Sequence, residues 1–201
     1  MLERCRKIQL SLNIKKCIFL TPIGILLGNI VCKEGIKVDF VKIKIILDLK
    51  PPMNSKQVRV LLGHTGYYRK FIRYYSDMTY ALEELLREDK EFDWIEECHI
   101  SFAKLKIKIV EGPILRFRNW STKFHVHIDA SGMAIGAILI QPGDDGMDYP
   151  IVYSSRKLNK EEINYSTIEN RKRSIRNGIC IRRVETTFGN LGHRSKGKEP
   201  E

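Results

Sequence analysis

Apolar positions recur along this chain with two different periods, and the change from one to the other falls near residue 115. Leu2, Cys5 and Ile8 stand at helical spacing with Arg4, Arg6 and Lys7 between them, which predicts the end of a helix over 1–12. The stretch K-K-C-I-F-L-T-P-I-G-I-L-L-G-N-I-V-C (15–32) predicts two short strands turned near Pro22 and Gly24, followed by a tight polar turn at Lys33-Glu34-Gly35-Ile36. Val41, Ile45, Ile46 and Leu49 form the stripe of a short helix, which Pro51-Pro52 must stop because proline cannot continue the hydrogen-bond ladder. Asn54 with Gln57 three residues on is a variant capping box, and Val58, Leu61 and Leu62 follow at helical spacing. Two more amphipathic helices are predicted. One covers 77–88 (Met78, Ala81, Leu82, Leu85, Leu86), and the other covers 95–110 (Cys98, Phe102, Leu105, Ile109) and ends at Gly112-Pro113.

Beyond residue 115 the period becomes two. Phe124, Val126 and Ile128 alternate with His125, His127 and Asp129, which predicts a half-buried strand. A-I-G-A-I-L-I-Q is apolar throughout and reads as a central strand. P-G-D-D-G-M-D is a hairpin loop, and Y-P-I-V-Y-S-S is a third strand. Asn159-Lys160-Glu161-Glu162 then opens a helix. Helices first and an antiparallel sheet afterwards make the fold class α+β. After Glu169 the helical pattern fails, and from Thr186 onward the chain is polar, Gly-rich and basic, which predicts a disordered tail.

With 201 residues, 43% hydrophobic and 29% charged, the chain has enough apolar surface for one or two globular cores. The net charge of +11 favours an anionic partner, above all nucleic acid. Five scattered cysteines without a C-x-x-C pair argue against a disulfide framework or a zinc site, and for a reducing, intracellular compartment, cytoplasm or nucleus. No secretory signal is visible at the N-terminus. The most apolar stretch, 17–32, is broken by Pro22, Gly24, Gly28 and Asn29, so no membrane partner is expected. The segment Y-Y-R-K-F-I-R-Y-Y (67–75) interleaves rings with cations. Tyr67, Tyr68, Arg69, Lys70 and Arg73 are therefore candidates for gripping nucleic acid, with cations on phosphates and rings on bases. A helix with a buried aromatic face and a solvated basic face would produce the same pattern.

Six motifs, in order, resemble the Pol polyprotein of Ty3/gypsy-type retrotransposons. They are L-S-L-N-I-K-K-C-I-F (10–19), L-L-G-N-I-V-C-K-E-G-I (26–36), V-R-V-L-L-G-H-T-G-Y-Y-R-K-F-I (58–72), F-D-W-I-E-E-C-H-I-S-F-A-K-L-K (92–106), H-I-D-A-S-G-M-A-I-G-A-I-L-I-Q (127–141) and Y-S-S-R-K-L-N-K-E-E-I-N-Y-S-T-I-E (153–169). The resemblance implies a layout. Residues 1–36 would be the end of a reverse-transcriptase palm, 37–115 the helical thumb and connection, and 116–175 the N-terminal part of an incomplete RNase H-like α/β domain. Residues 176–201 would be a degenerate tail. It also implies parent activities of RNA-directed DNA polymerase and ribonuclease H, Mg2+ as cofactor, and a template-primer duplex or RNA–DNA hybrid as partner. An intact polymerase subunit is a further candidate partner.

The catalytic residues of that family are only partly present. Polymerisation needs adjacent aspartates on a palm hairpin. The only adjacent pair, Asp144-Asp145, lies between glycines in a predicted turn far from the palm motifs. For ribonuclease H chemistry, Asp129 matches the first metal-binding aspartate. In N-Y-S-T-I-E-N-R the glutamate expected second is replaced by Arg171. Glu169, two residues back, would point about 200° away around a helix, and a cation at 171 would compete with a metal. His125 and His127 share the Asp129 face and are weaker candidate ligands. The expectation is therefore a degenerate, nucleic-acid-binding fragment with no complete active site. The alternatives are a residual Mg-dependent nuclease using Asp129 and Glu169, and a translated relic with no function. A frame change or mis-spliced end near residue 170 would account for the divergence after it.

Overall fold

A computed structural model describes residues 2–176 of the chain. The predicted tail lies outside the described residues. The chain opens on a short helix α1 (Leu2–Lys7) and a 3-10 turn, then forms a three-stranded antiparallel meander, β1 (Ile23–Leu26), β2 (Asn29–Cys32) and β3 (Gly35–Val38). The first turn is at Leu27-Gly28, not near Pro22 and Gly24. Both turn residues have positive φ, and the glycine adopts it at little cost. Gly35 and Ile36 belong to β3 rather than to a turn. Gly35 itself has φ +145, and its missing side chain lets the Leu115 backbone pass. Ile36 pairs with Leu115 through both N–H···O bonds, 2.8 and 3.0 Å.

The helical block follows. Helix α2 (Phe40–Leu47) is capped by Asp39, whose carboxylate accepts from Val41 N at 3.0 Å. It buries Ile43 and Ile46, leaving Val41 and Ile45 exposed, so the buried stripe differs from the predicted one. The segment F-V-K-I-K-I-I-L is apolar on most sides, and the 43/46 pair is the one that meets the block. Helix α3 (Ser55–Tyr67) carries the expected cap: Asn54 Oδ1 accepts from Gln57 N at 3.0 Å, while Gln57 Oε1 accepts from Met53 N at 2.7 Å. The predicted helix 77–88 consists of two short pieces, α4 (Tyr75–Met78) and α5 (Tyr80–Glu84). At their junction Thr79 Oγ1 donates back to the Tyr75 carbonyl at 3.0 Å, a back-bond that bends helices. Helix α6 (Glu96–Val110) buries Cys98, Phe102, Leu105 and Ile109, the four residues its periodicity selects. These helices close one core around Phe71, Leu61, Leu82 and Leu105.

The second sheet is also an antiparallel meander: β4 (His125–Ala130), β5 (Ala134–Pro142) and β6 (Asp148–Lys157). β5 is central and almost wholly buried, as its composition requires. Helix α7 (Thr167–Arg176) continues beyond Glu169, where the apolar pattern alone would end it, and packs along β4. Among the described residues no helix is long and apolar enough to cross a membrane. The first twenty-seven residues have an unusual surface. Ile14, Ile18, Phe19, Leu20, Ile23 and Leu27 are all exposed, and among the described residues β1 forms an unpaired sheet edge.

Candidate functional site

The register of the second sheet places Asp129 opposite Gly136, and Gly136 opposite Ser155, so the three share one row across one face. The helical block docks on this row. The ring of Tyr74 lies over Gly136, where a Cβ would come within 2.7 Å of its Cδ1. Ser76 N donates to Ser155 Oγ at 2.9 Å, and Arg69 Nη2 donates to the Ser155 carbonyl at 2.5 Å. Next to the row, Ser131 Oγ donates to Asp77 at 2.8 Å. Tyr74 reaches the row because it sits in the left-handed region, φ 57, immediately before α4.

Both oxygens of the Asp129 carboxylate are occupied. Oδ2 accepts from the Tyr74 hydroxyl at 2.8 Å. Oδ1 accepts from Arg171 Nη2 at 2.5 Å and from Ala130 N at 3.0 Å. The Tyr74 hydroxyl first, and Arg171 after it, hold this carboxyl below the usual aspartate range. Partial burial, and then the bond to Asp129, push the Tyr74 phenol up. Arg73 completes the chain of contacts, donating to the Tyr74 hydroxyl at 2.8 Å and lying 4.7 Å from its ring centre. The result is a continuous run Arg73–Tyr74–Asp129–Arg171 drawn from three separate elements.

The remaining predicted site residues separate by environment. Glu169 turns back to the start of α7, where its carboxylate accepts from Ser166 N at 3.2 Å and Oγ at 3.3 Å. It caps the helix, and the structure does not bring it to Asp129. Tyr68 is buried in the helical core, so its ring is not presented to a base. Arg69 is a strut between block and sheet. Lys70 is partly buried, which lowers its pKa, and it lies 5.6 Å from the ring centre of Tyr67. Tyr67 is exposed along its ring, and its hydroxyl accepts from Asn29 Nδ2 at 2.7 Å. Arg73 is exposed. In the β5–β6 loop Asp145 accepts from the Tyr149 hydroxyl and from Met147 N, the bonding of a turn residue. His125 and His127 are exposed on β4, and His127 lies beside Asp129.

RNase H-like folds cut with two magnesium ions held by a cluster of carboxylates. Here the residues do not fit that requirement. Among the described residues no group of three His, Cys, Asp or Glu side chains could hold a metal ion. The one candidate carboxylate faces a guanidinium instead of a second acid.

Residues 94–184 match the family described as the RNase H-like domain found in reverse transcriptase. The Retrovirus-related Pol polyprotein from transposon 297 of Drosophila melanogaster is 40% identical over 162 residues, which are 80% of this chain and 15% of that polyprotein. The chain contains a reverse-transcriptase RNase H-like domain, and its homologues are retrotransposon Pol polyproteins. The Transposon Tf2-3 polyprotein of Schizosaccharomyces pombe is 33% identical over 82% of this chain and 12% of its own length. The chain thus spans less than a fifth of these Pol relatives. The fold is similar to part of the foamy viral protease-reverse transcriptase. Its structure in complex with RNA/DNA hybrid gives a TM-score of 0.71 at 20% identity, covering 91% of this chain and 25% of that one. A second, of the protease-reverse transcriptase dRH in complex with ds DNA, gives 0.70 at 18% identity over 82% of this chain and 29% of that one. The matched residues begin within the helical block, since Trp94 and α6 fall inside the match. The row that carries Asp129 is thus covered by Tyr74 from outside the matched residues.

The sequence pattern does not reveal Tyr74, Gly136 or Ser155 as members of this site. Gly136 was accessible in principle, because counting outward from a four-residue turn at 131–134 sets it across from Asp129. Nothing in a one-dimensional pattern brings Tyr74 to Asp129, fifty-five positions further on.

Proposed function

We propose that this chain is a nucleic-acid-gripping fragment of a retrotransposon reverse transcriptase, with palm residues to 36, a thumb and connection to 115 and an RNase H-like sheet beyond, and that it does not cleave. The observation that carries the reading is the closed Asp129 carboxylate: both oxygens are bonded within the protein, one of them by a cation. A positive charge at that distance opposes a divalent ion directly. The binding half rests on the +11 charge, on the exposed Arg73 of the segment 67–75, and on the duplex and hybrid held by the solved structures of similar fold. The ligand class is a template-primer duplex or an RNA–DNA hybrid.

The test is binding of a short RNA–DNA hybrid to the purified chain across a salt series without Mg2+, followed by addition of Mg2+. Micromolar or tighter affinity that falls steeply with salt, with the hybrid left intact, is the expected result. Magnesium-dependent cleavage abolished by Asp129→Asn would replace this reading with a residual nuclease. No binding at low salt would leave a relic.

A further inference from the structure

The pocket beside Asp129 has a volume of about 280 Å³ and is lined by Arg73, Tyr74, His127, Asp129 and Arg171. Its charge is the reverse of a metal site. Two guanidinium groups face a single carboxylate, leaving a net positive charge where a magnesium site requires an excess of acids. Among the described residues the donors are not used up either. Each guanidinium has five N–H groups in a fixed fork, while Arg171 gives one group to Asp129 and Arg73 one to Tyr74. Both side chains are exposed at the pocket mouth, and the Asp129–Tyr74 bonds fix the geometry between them.

We infer that this pocket is an anion site that takes one phosphate group without a metal, the natural occupant being a backbone phosphodiester of the bound nucleic acid. The occupant rests on the reading above. The anion site stands on the geometry alone. Asp129 serves here as the positioning residue: it holds Arg171 toward the pocket and, through the Tyr74 hydroxyl, keeps Arg73 on the other side. A planar guanidinium matches a phosphate with two parallel N–H···O bonds, and two such forks converging on one cavity recognise a tetrahedral anion.

Two probes separate the site from its occupant. Inorganic phosphate, titrated in EDTA and followed by the backbone amide signals of His127 and Ala130, decides the anion site. Saturable millimolar shifts that Arg171→Gln abolishes are expected. Signals that do not move, or that move equally in Arg171→Gln, overturn it. The hybrid decides the occupant. Arg171→Gln and Arg73→Gln should each weaken binding roughly tenfold at low salt and flatten the log–log salt dependence by about one unit. Lys104→Gln removes the same charge from an exposed position on α6 and should do so much less. If the three variants are equally affected, the phosphodiester is not in this pocket. If the wild-type chain takes phosphate but no hybrid, the nucleic-acid reading fails and the anion site survives. Arg171→Lys keeps the charge without the fork and is the guard against misfolding. It should retain the far-ultraviolet spectrum and recover only part of the phosphate affinity.

Discussion

At the scale of single residues, this fold depends on two glycines at which another part of the chain passes close by. Gly136 leaves room for the Tyr74 ring beside Asp129, and Gly35 leaves room for the Leu115 backbone. The Gly35 constraint is the stricter of the two. A methyl group there would run into the Leu115 carbonyl, a backbone atom that is fixed by the paired bonds to Ile36, and φ +145 is strained for any L side chain. Gly35→Ala should therefore cost about 2–4 kcal/mol, read as a lower midpoint in urea with an unchanged slope. The sequence marks Gly35 only as a turn residue. Its real partner is a strand-like residue eighty positions on, and close approach between distant backbones leaves no local trace. Asp129 was legible because its motif is compact. The two groups bonded to its side chain were not equally so: Arg171 stands at a countable position, whereas Tyr74 depends on a left-handed residue in a loop.

At the scale of elements, periodicity performed well where a helix has one neighbour and poorly where it has several. Helix α6 buries the four residues its pattern selects. In α2, nearly every position is apolar, so tertiary packing chooses the face and selects Ile43 and Ile46. The split between α4 and α5 falls at Thr79, whose back-bond to Tyr75 hydrophobic spacing does not encode. The cap of α3 was visible in the sequence and has a measurable consequence. Asn54→Ala leaves Gln57 N without its acceptor at the start of a thirteen-residue helix, and should lower stability by about 1 kcal/mol in chemical denaturation. Asn54→Ser, which keeps an acceptor oxygen, should restore most of that loss.

At the scale of the molecule, the block and the second sheet are joined by many polar ties and little apolar seam. Arg69 and Ser76 hold Ser155, Tyr74 holds Asp129, Asp77 holds Ser131, and Lys157 lies 3.2 Å from Glu83. Tyr153, half-buried against the helical core, supplies an apolar contact across the junction. Several of these ties include buried partners, whose loss costs more than a surface pair does. The junction should therefore make unfolding cooperative: emission from Trp94, in the block, and amide signals of β5, in the sheet, should report one shared midpoint. Two separated midpoints would show instead that the halves fold independently.

The exposed apolar run at the beginning of the chain and the positive charge respond to salt in opposite ways. At low ionic strength, charge repulsion keeps copies of the molecule apart. Near 0.15 M its reach has shrunk to roughly 8 Å, about one side chain. Short-range contact between Ile14, Phe19, Leu20 and the bare edge of β1 is then no longer opposed. Colloidal stability and phosphate attraction thus decline together along the same axis, so the molecule is most soluble under the conditions in which it holds an anion most tightly.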